Sequence, residues 1–257
     1  MIDKYKNVDF KKKIQDHFDK KQLKVNLDDF IPYSISEYLR SPFVYIQDNY
    51  CRNINGKKTL DYCCGSGLNS VFFSKMGSKV TGIDISKESI HVAKQRFKKH
   101  NLKDYDFFQM DAHALNFEDD YFDVIICYKS LLYLNLDKAF KELNRVLKHG
   151  GKLIILENIG DNFIFNYYRL FKHIFKSRKY LFELNKLKSK DLNISDKFFN
   201  TQETVYFDFF SIFGKLIKDV LKIKISNKLL NSLDVFILRK LKVKFLAFTV
   251  VKILTKK

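Results

Sequence analysis

The segment from Leu60 to Asp84 constrains this chain more than any other. Leu60-Asp61-Tyr62-Cys63-Cys64-Gly65-Ser66-Gly67 reads as a strand that ends in an acid and runs into a small-residue turn. A helix-length stretch follows, then a second strand, Val80-Thr81-Gly82-Ile83-Asp84, that also ends in an acid. Gly65 and Gly67 carry no Cβ, so the backbone can pass close to a ligand at the following helix N-terminus. A carboxylate about twenty residues beyond such a turn can accept both hydroxyls of a ribose. Strand, turn, helix and strand in this order form a parallel unit, and the pattern repeats.

Period and punctuation place strands at 58–64, 79–85, 106–110, 122–127 and 152–157, with helices over 68–76, 87–100 and 136–147. Such alternation predicts a mostly parallel sheet covered on both faces. Two further segments, 204–208 and 245–254, have strand character and are expected to complete the sheet as antiparallel sixth and seventh strands. Residues 212–241 between them read as helical.

The turn does not supply the Gly-x-Gly-x-x-Gly of a dinucleotide fingerprint, because Ser70 or Leu68 stands where the third glycine is needed. It resembles motif I of the class I S-adenosylmethionine-dependent methyltransferases, of the small-molecule type. Asp61, Gly65 and Gly67 are in place, and Cys63 stands where the first glycine usually lies. Cysteine disfavours the positive φ that glycine accepts there. The resemblance runs from Lys57 to about Asn158: 107–112 resembles the third strand and its terminal acid, Asp111, and 122–127 the fourth. Residues 128–133 resemble the motif after that strand, and 145–153 the turn before strand five, with His149 in place of the usual proline.

The resemblance implies a Rossmann-like, doubly wound seven-stranded sheet with an antiparallel last strand. It implies an S-adenosylmethionine site built from Asp61, Cys63, Gly65, Ser66, Gly67, Asp84, Ile85, Asp111, Ala112 and Tyr128. Asp84 is expected on the ribose, Asp111 toward the adenine amino group, and Asp61 either orienting the turn or meeting the cofactor amino group. A base is optional in such a reaction, because orientation alone can supply roughly 7 to 11 kcal/mol of the barrier. Tyr128 and Tyr133 are the catalytic candidates, with Lys129 and Glu157 also within reach of an acceptor. Each has a plainer reading as aromatic wall or surface charge, His113 is not expected to act as base, and His91 and His149 read as structural.

Organisation follows from the same reading. Residues 1–56 form an N-terminal helical cap, 57–159 the cofactor core, and 160–257 an acceptor lid with the last strands. Ile31–Tyr50, which holds both prolines, is expected over the cofactor mouth. From Asn162 to Arg178, Phe163, Tyr167, Leu170, Phe171 and Ile174 fall on one helical stripe opposite Arg169, Lys172 and Lys176, the pattern of a lid helix or of one lying on a membrane surface.

Charge and cysteine content bound the partners. Of the net +18, Met1–Gly150 holds 25 basic against 20 acidic residues and Gly151–Lys257 holds 22 against 9, so +13 falls in the second part. That bias fits an acidic substrate, an anionic membrane surface or nucleic acid, and it fits equally a lysine-rich, proline-poor composition with solvated charges. Four cysteines without a Cys-x-x-Cys, and no histidine spacing to complete a set, point to neither metal nor disulfides and to a reducing cytoplasm. Tyr128-Lys129-Ser130-Leu131 replaces the Asn/Asp-Pro-Pro-Tyr/Phe of base methylation, and Cys127 reads as a buried core residue. The phenylalanine-rich later region favours a small or lipid-like acceptor. RNA methylation, or a catalytically silent nucleoside-binding scaffold, stand as alternatives.

Overall fold

The computed structural model describes residues 8–22, 25–29, 36–166, 187–241 and 243–257. Its frame is one seven-stranded sheet: β1 (Lys58–Tyr62), β2 (Lys79–Asp84), β3 (Tyr105–Gln109), β4 (Phe122–Tyr128), β5 (Leu147–Asn158), β6 (Phe199–Phe207) and β7 (Thr249–Lys256). The order across the sheet is β3-β2-β1-β4-β5-β7-β6, with β1 to β5 parallel. β1 to β5 each stop within a residue or two of the expected position, except that β5 begins earlier, at Leu147.

β7 runs antiparallel to both neighbours. β6 therefore points the same way as β1 to β5, which corrects the expectation of two antiparallel strands to one. The reversal is confined to the last strand, and the carboxyl ends of β1 to β6 all lie along one edge of the sheet.

Buried parallel strands must be apolar on both faces, and β4 and β5 are: Ile125, Ile126 and Cys127 pair with Leu153, Ile154 and Ile155, all fully buried. Two apolar layers result. One face packs α5 (Leu136–Val146), whose Ala139, Phe140, Leu143 and Val146 recur at helical spacing. The other packs α3 (Leu68–Lys75) and α4 (Lys87–Lys99) through Val71, Phe73, Ala93 and Phe97. Local signals fix where two of these helices start: Ser86 Oγ accepts from Ser89 N–H at 2.9 Å to cap α4, and Asn135 Oδ1 accepts from Lys138 N–H at 3.1 Å to cap α5.

Among the described residues the further helices are α1 (Val8–Lys21), α6 (Phe210–Leu221) and α7 (Asn227–Asp234), with a short α2 (Ser41–Ile46) that holds Pro42 in its first turn. Residues 36–51 do not lie over the cleft described below. Phe43, Ile46 and Cys51 draw this stretch into the α3 layer, with the Phe43 and Phe72 rings 4.9 Å apart. Among the described residues the cleft is covered by α1 and residues 25–29; the expected cover at 31–35 lies outside the described residues. Most of the proposed 162–178 helix falls outside them too. Residues 163–166 are helical, and there Phe165 is buried while Phe163, expected on the packed stripe, is exposed.

Candidate cofactor and acceptor site

A cleft of about 560 Å³ opens at the carboxyl edge of the sheet, between the turn after β1, the ends of β2 and β4, and α1. Its floor is the turn. Gly65 has φ +54 and nothing within 4 Å of where a Cβ would sit, so its bare backbone faces open space. Gly67 has φ +74, and a Cβ there would come 3.1 Å from that of Ala93, so this glycine lets α3 and α4 close on each other. Cys63 also takes a left-handed conformation, φ +58, in the place usually given to glycine. Burial raises its thiol far above the usual range, so it is a packed side chain rather than a nucleophile.

Asp84, at the end of β2, organises this floor. Its Oδ2 accepts from Gly65 N–H and its Oδ1 from Ser86 N–H, each at 2.9 Å. Burial raises its pKa, opposed by those two donors. A carboxylate oxygen has two lone pairs, so each still has one acceptor position free. Ile85 lies beside it on the cleft wall.

Asp61 lies behind the turn and not on the wall of the cleft. Its Oδ2 accepts from Ser70 Oγ at 2.5 Å, pinning the first turn of α3, while Oδ1 is buried without a partner. Burial pushes its pKa up to about 7. Of the two roles expected of it, the geometry is that of orienting the turn. Asn69 on the wall likewise has a buried Oδ1 with no partner.

Asp111 faces the cleft but is already engaged. Its Oδ1 accepts from both the backbone N–H and the Nδ1 of His113, and its Oδ2 accepts from Lys11 Nζ at 2.5 Å. His113 Nε2 accepts from Asn135 N–H at 2.9 Å, which assigns the proton to Nδ1 and makes this ring a strut between two loops. These donors, His113 foremost, hold the Asp111 carboxyl far below the ordinary range. Ala112 contributes its carbonyl to Tyr62 Oη at 2.6 Å and its methyl to the core.

The far end of the cleft is formed after β4. Tyr128 and Tyr133 both line it, with the Tyr133 ring edge-on to Phe18 of α1 at 5.4 Å. Burial raises the Tyr128 phenol well above its usual value, which makes it a poor base. Lys129 is not the solvated surface charge of its plainer reading. It has φ +55, lines the cleft, and burial lowers its pKa against the opposing pull of Asp208 and Glu157. Glu157 is not placed to act as base either: its Oε1 accepts from Ser130 N–H at 2.6 Å and Leu131 N–H at 2.7 Å, fixing the loop that carries Lys129.

Two features of the site were missed in the sequence. Arg96, fully buried in α4, donates from Nε to Ser66 O at 2.8 Å and from Nη1 to the carbonyls of Asn26 (2.9 Å), Leu27 (3.0 Å) and Asp29. It straps residues 25–29 across the turn. The signal was present: Arg96 falls on the same stripe of α4 as Ile90, Ala93 and Phe97, where a charge must be satisfied. The second is the part that the expected N-terminal helical cap plays: Lys11 and Phe18 of α1 line the cleft itself.

Comparison with known proteins adds to this geometry. Residues 60–155 match the family model described as a methyltransferase domain. That stretch of the chain is therefore similar to methyltransferase domains, in line with the resemblance of its motifs. It is 40% identical over 106 residues to the demethylmenaquinone methyltransferase of Staphylococcus aureus strain MRSA252, covering 40% of this chain and 43% of that protein. It is 36% identical over 105 residues to the sterol 4-C-methyltransferase strm-1 of Caenorhabditis elegans, covering 40% of this chain and 31% of that one. The chain thus spans less than half the length of these curated relatives. The fold extends further: a geranyl diphosphate C-methyltransferase from Streptomyces coelicolor A3(2), 16% identical, superposes over 96% of this chain and 98% of its own with a TM-score of 0.66. The doubly wound seven-stranded sheet expected from the sequence is the one found.

Proposed function

We propose that this chain binds S-adenosylmethionine in the 560 Å³ cleft and moves its methyl group to a small or lipid-like organic acceptor. The observation that carries the reading is Asp84, held by two backbone N–H groups beneath the open Gly65 turn with acceptor positions to spare. The residues present fit the cofactor: a bare backbone cradle, a carboxylate for two ribose hydroxyls, and a volume suited to a ligand of that size. When bound, the cofactor supplies a methyl group activated by its sulfonium.

The chain's own residues do the rest. Asp84 fixes the ribose, Ser66 and Gly67 shape the turn, Tyr128 and Tyr133 wall the reacting end and keep water out, and α1 covers the cleft. Lys129, on the cleft wall, is our candidate to take a proton leaving an acceptor hydroxyl, its burial in the cleft favouring the neutral amine. Most of the catalysis is positioning.

The acceptor class follows from apolar walls and from the kinds of molecule for which relatives are named, a sterol and a demethylmenaquinone, with geranyl diphosphate in the neighbouring structure. All three have apolar bodies. The test is incubation with methyl-labelled S-adenosylmethionine and organic-solvent extracts of cells, followed by partition. Label in the organic phase supports the reading. Label confined to RNA, or no transfer by protein that binds the cofactor, overturns it in favour of the alternatives.

A further inference from the structure

The insertion between β6 and β7 leaves the sheet at Phe207 and returns at Thr249, both at the edge where the cleft opens. Within it the described residues show an unusual surface. Eight of the eleven exposed large apolar side chains fall in residues 221–245. In α7 and the turn that continues it, Leu230, Asp234 and Leu238 face inward at helical spacing. Leu229 (56% exposed), Leu233 and Phe236 (50%) recur on the solvent side, and Leu221, Ile223 and Phe245 (54%) extend the patch at either end. An apolar patch of this kind marks a contact surface.

Its charge says what it contacts. Residues 221–245 contain seven Lys and Arg and one acidic residue, Asp234. Asp234 is buried and spent on the start of α6, where it accepts from the backbone N–H groups of Phe209, Phe210 and Ser211. The exposed apolar side chains are therefore interleaved with exposed Lys222, Lys224, Lys228, Lys240 and Lys244, with no exposed acid in the segment. A second copy of this chain would bring the same positive rim to the contact and be repelled. An anionic lipid surface complements both features, taking apolar side chains below the headgroups and lysines among them. Among the described residues no helix is long and apolar enough to cross a membrane.

We propose that residues 221–245 dock this protein on the surface of an anionic lipid bilayer, with the carboxyl edge of the sheet turned toward it. Phe163, exposed just after β5 at that same edge, adds to the contact. Docking in this orientation would present a bilayer-borne acceptor to the cleft. The delivery rests on the proposed methyl transfer; the docking does not.

Sedimentation of the full chain with vesicles tests it. The probes are neutral phosphatidylcholine vesicles and vesicles with about a third phosphatidylglycerol, in low and high salt. Binding is expected to the anionic vesicles at low salt, and to fall as salt rises. Lys228→Glu and Lys244→Glu should each lower the partition by more than about fivefold, and Leu229→Glu with Phe236→Glu should abolish it. All these positions are exposed, and unchanged melting with unchanged S-adenosylhomocysteine titration certifies folded variants. Wild type that ignores anionic vesicles, variants that bind as wild type does, or self-association through this face without vesicle binding each overturns the proposal. A wild type that docks but takes up no S-adenosylhomocysteine overturns the methyl-transfer reading alone.

Discussion

Replacing Asp84 with Asn separates the carboxylate's two duties. In the wild type both oxygens accept a backbone N–H at 2.9 Å, from Gly65 and from Ser86, and both keep an acceptor position for a ribose hydroxyl. Asparagine turns one oxygen into an NH₂ group. Whichever way the amide is placed, one N–H of the turn then faces another donor, a loss of about 1 to 3 kcal/mol of stability for an unsatisfied buried donor. One ribose hydroxyl also loses a charged acceptor, worth about 1.5 to 3 kcal/mol, or roughly ten- to a hundredfold in affinity. The assay is calorimetric titration with S-adenosylhomocysteine beside a denaturant melt, so that loss of affinity is read on protein shown to be folded. Asp84→Asn with wild-type affinity would refute the ribose assignment, whatever its effect on stability.

Other consequences follow from the same contacts. Gly67→Ala places a methyl 3.1 Å from the Ala93 Cβ at φ +74, and should destabilise the fold by about 1 to 3 kcal/mol in urea melts; an unchanged midpoint would contradict the close packing of α3 on α4. Arg96→Met leaves carbonyls of residues 26–29 without their donor, and should expose the 25–29 strap to proteolysis and weaken cofactor binding while β1 to β5 keep their hydrogen-exchange protection; a strap that resists protease as before would remove Arg96 from this role. Asp208, 2% exposed, has its pKa raised by burial to about 7 against an unfolded value near 3.9, so its contribution to stability is complete below about pH 4 and is lost as pH rises through about 7. The full loss is on the order of 4 kcal/mol. Asp208→Asn should therefore gain on the wild type between pH 5 and 8 by up to about that amount, and a constant difference across this range would contradict the burial assigned to it.

The sheet was legible because its signals are local and redundant. β4 and β5 carry the unbroken apolar runs Val124–Cys127 and Leu153–Leu156, α4 and α5 carry their caps in Ser86 and Asn135, and the acids near the ends of β1 and β2 flank a turn with two glycines. What was not legible depends on contacts distant in sequence. Ile31–Tyr50 holds both prolines and is expected over the cofactor mouth, yet Phe43 and Ile46, with Cys51 just beyond, hold residues 36–51 in the α3 layer, and their spacing has meaning only against Phe72. Lys11 lies 100 residues from Asp111, and nothing in the periodicity of α1 pairs them. Glu157 reads as a possible base because it ends a strand at the reactive edge; its carboxylate is instead committed to two backbone donors across β4 and β5. Lys129 has a different cause, since a left-handed φ in a residue with a side chain leaves no mark in composition or spacing, whereas Cys63 was marked only by standing where glycine is usual.

The measurement that bears most directly on the account is an equilibrium titration of the wild-type chain with S-adenosylmethionine and with S-adenosylhomocysteine. Saturable one-to-one uptake of both, blocked by a bulky substitution of Gly65 such as Gly65→Leu whose melting stays cooperative though lowered by the strain of a side chain at φ +54, is the predicted result. Folded wild-type protein that takes up neither compound, or takes them up as well after Gly65→Leu, would contradict a cofactor seated on the turn between β1 and α3.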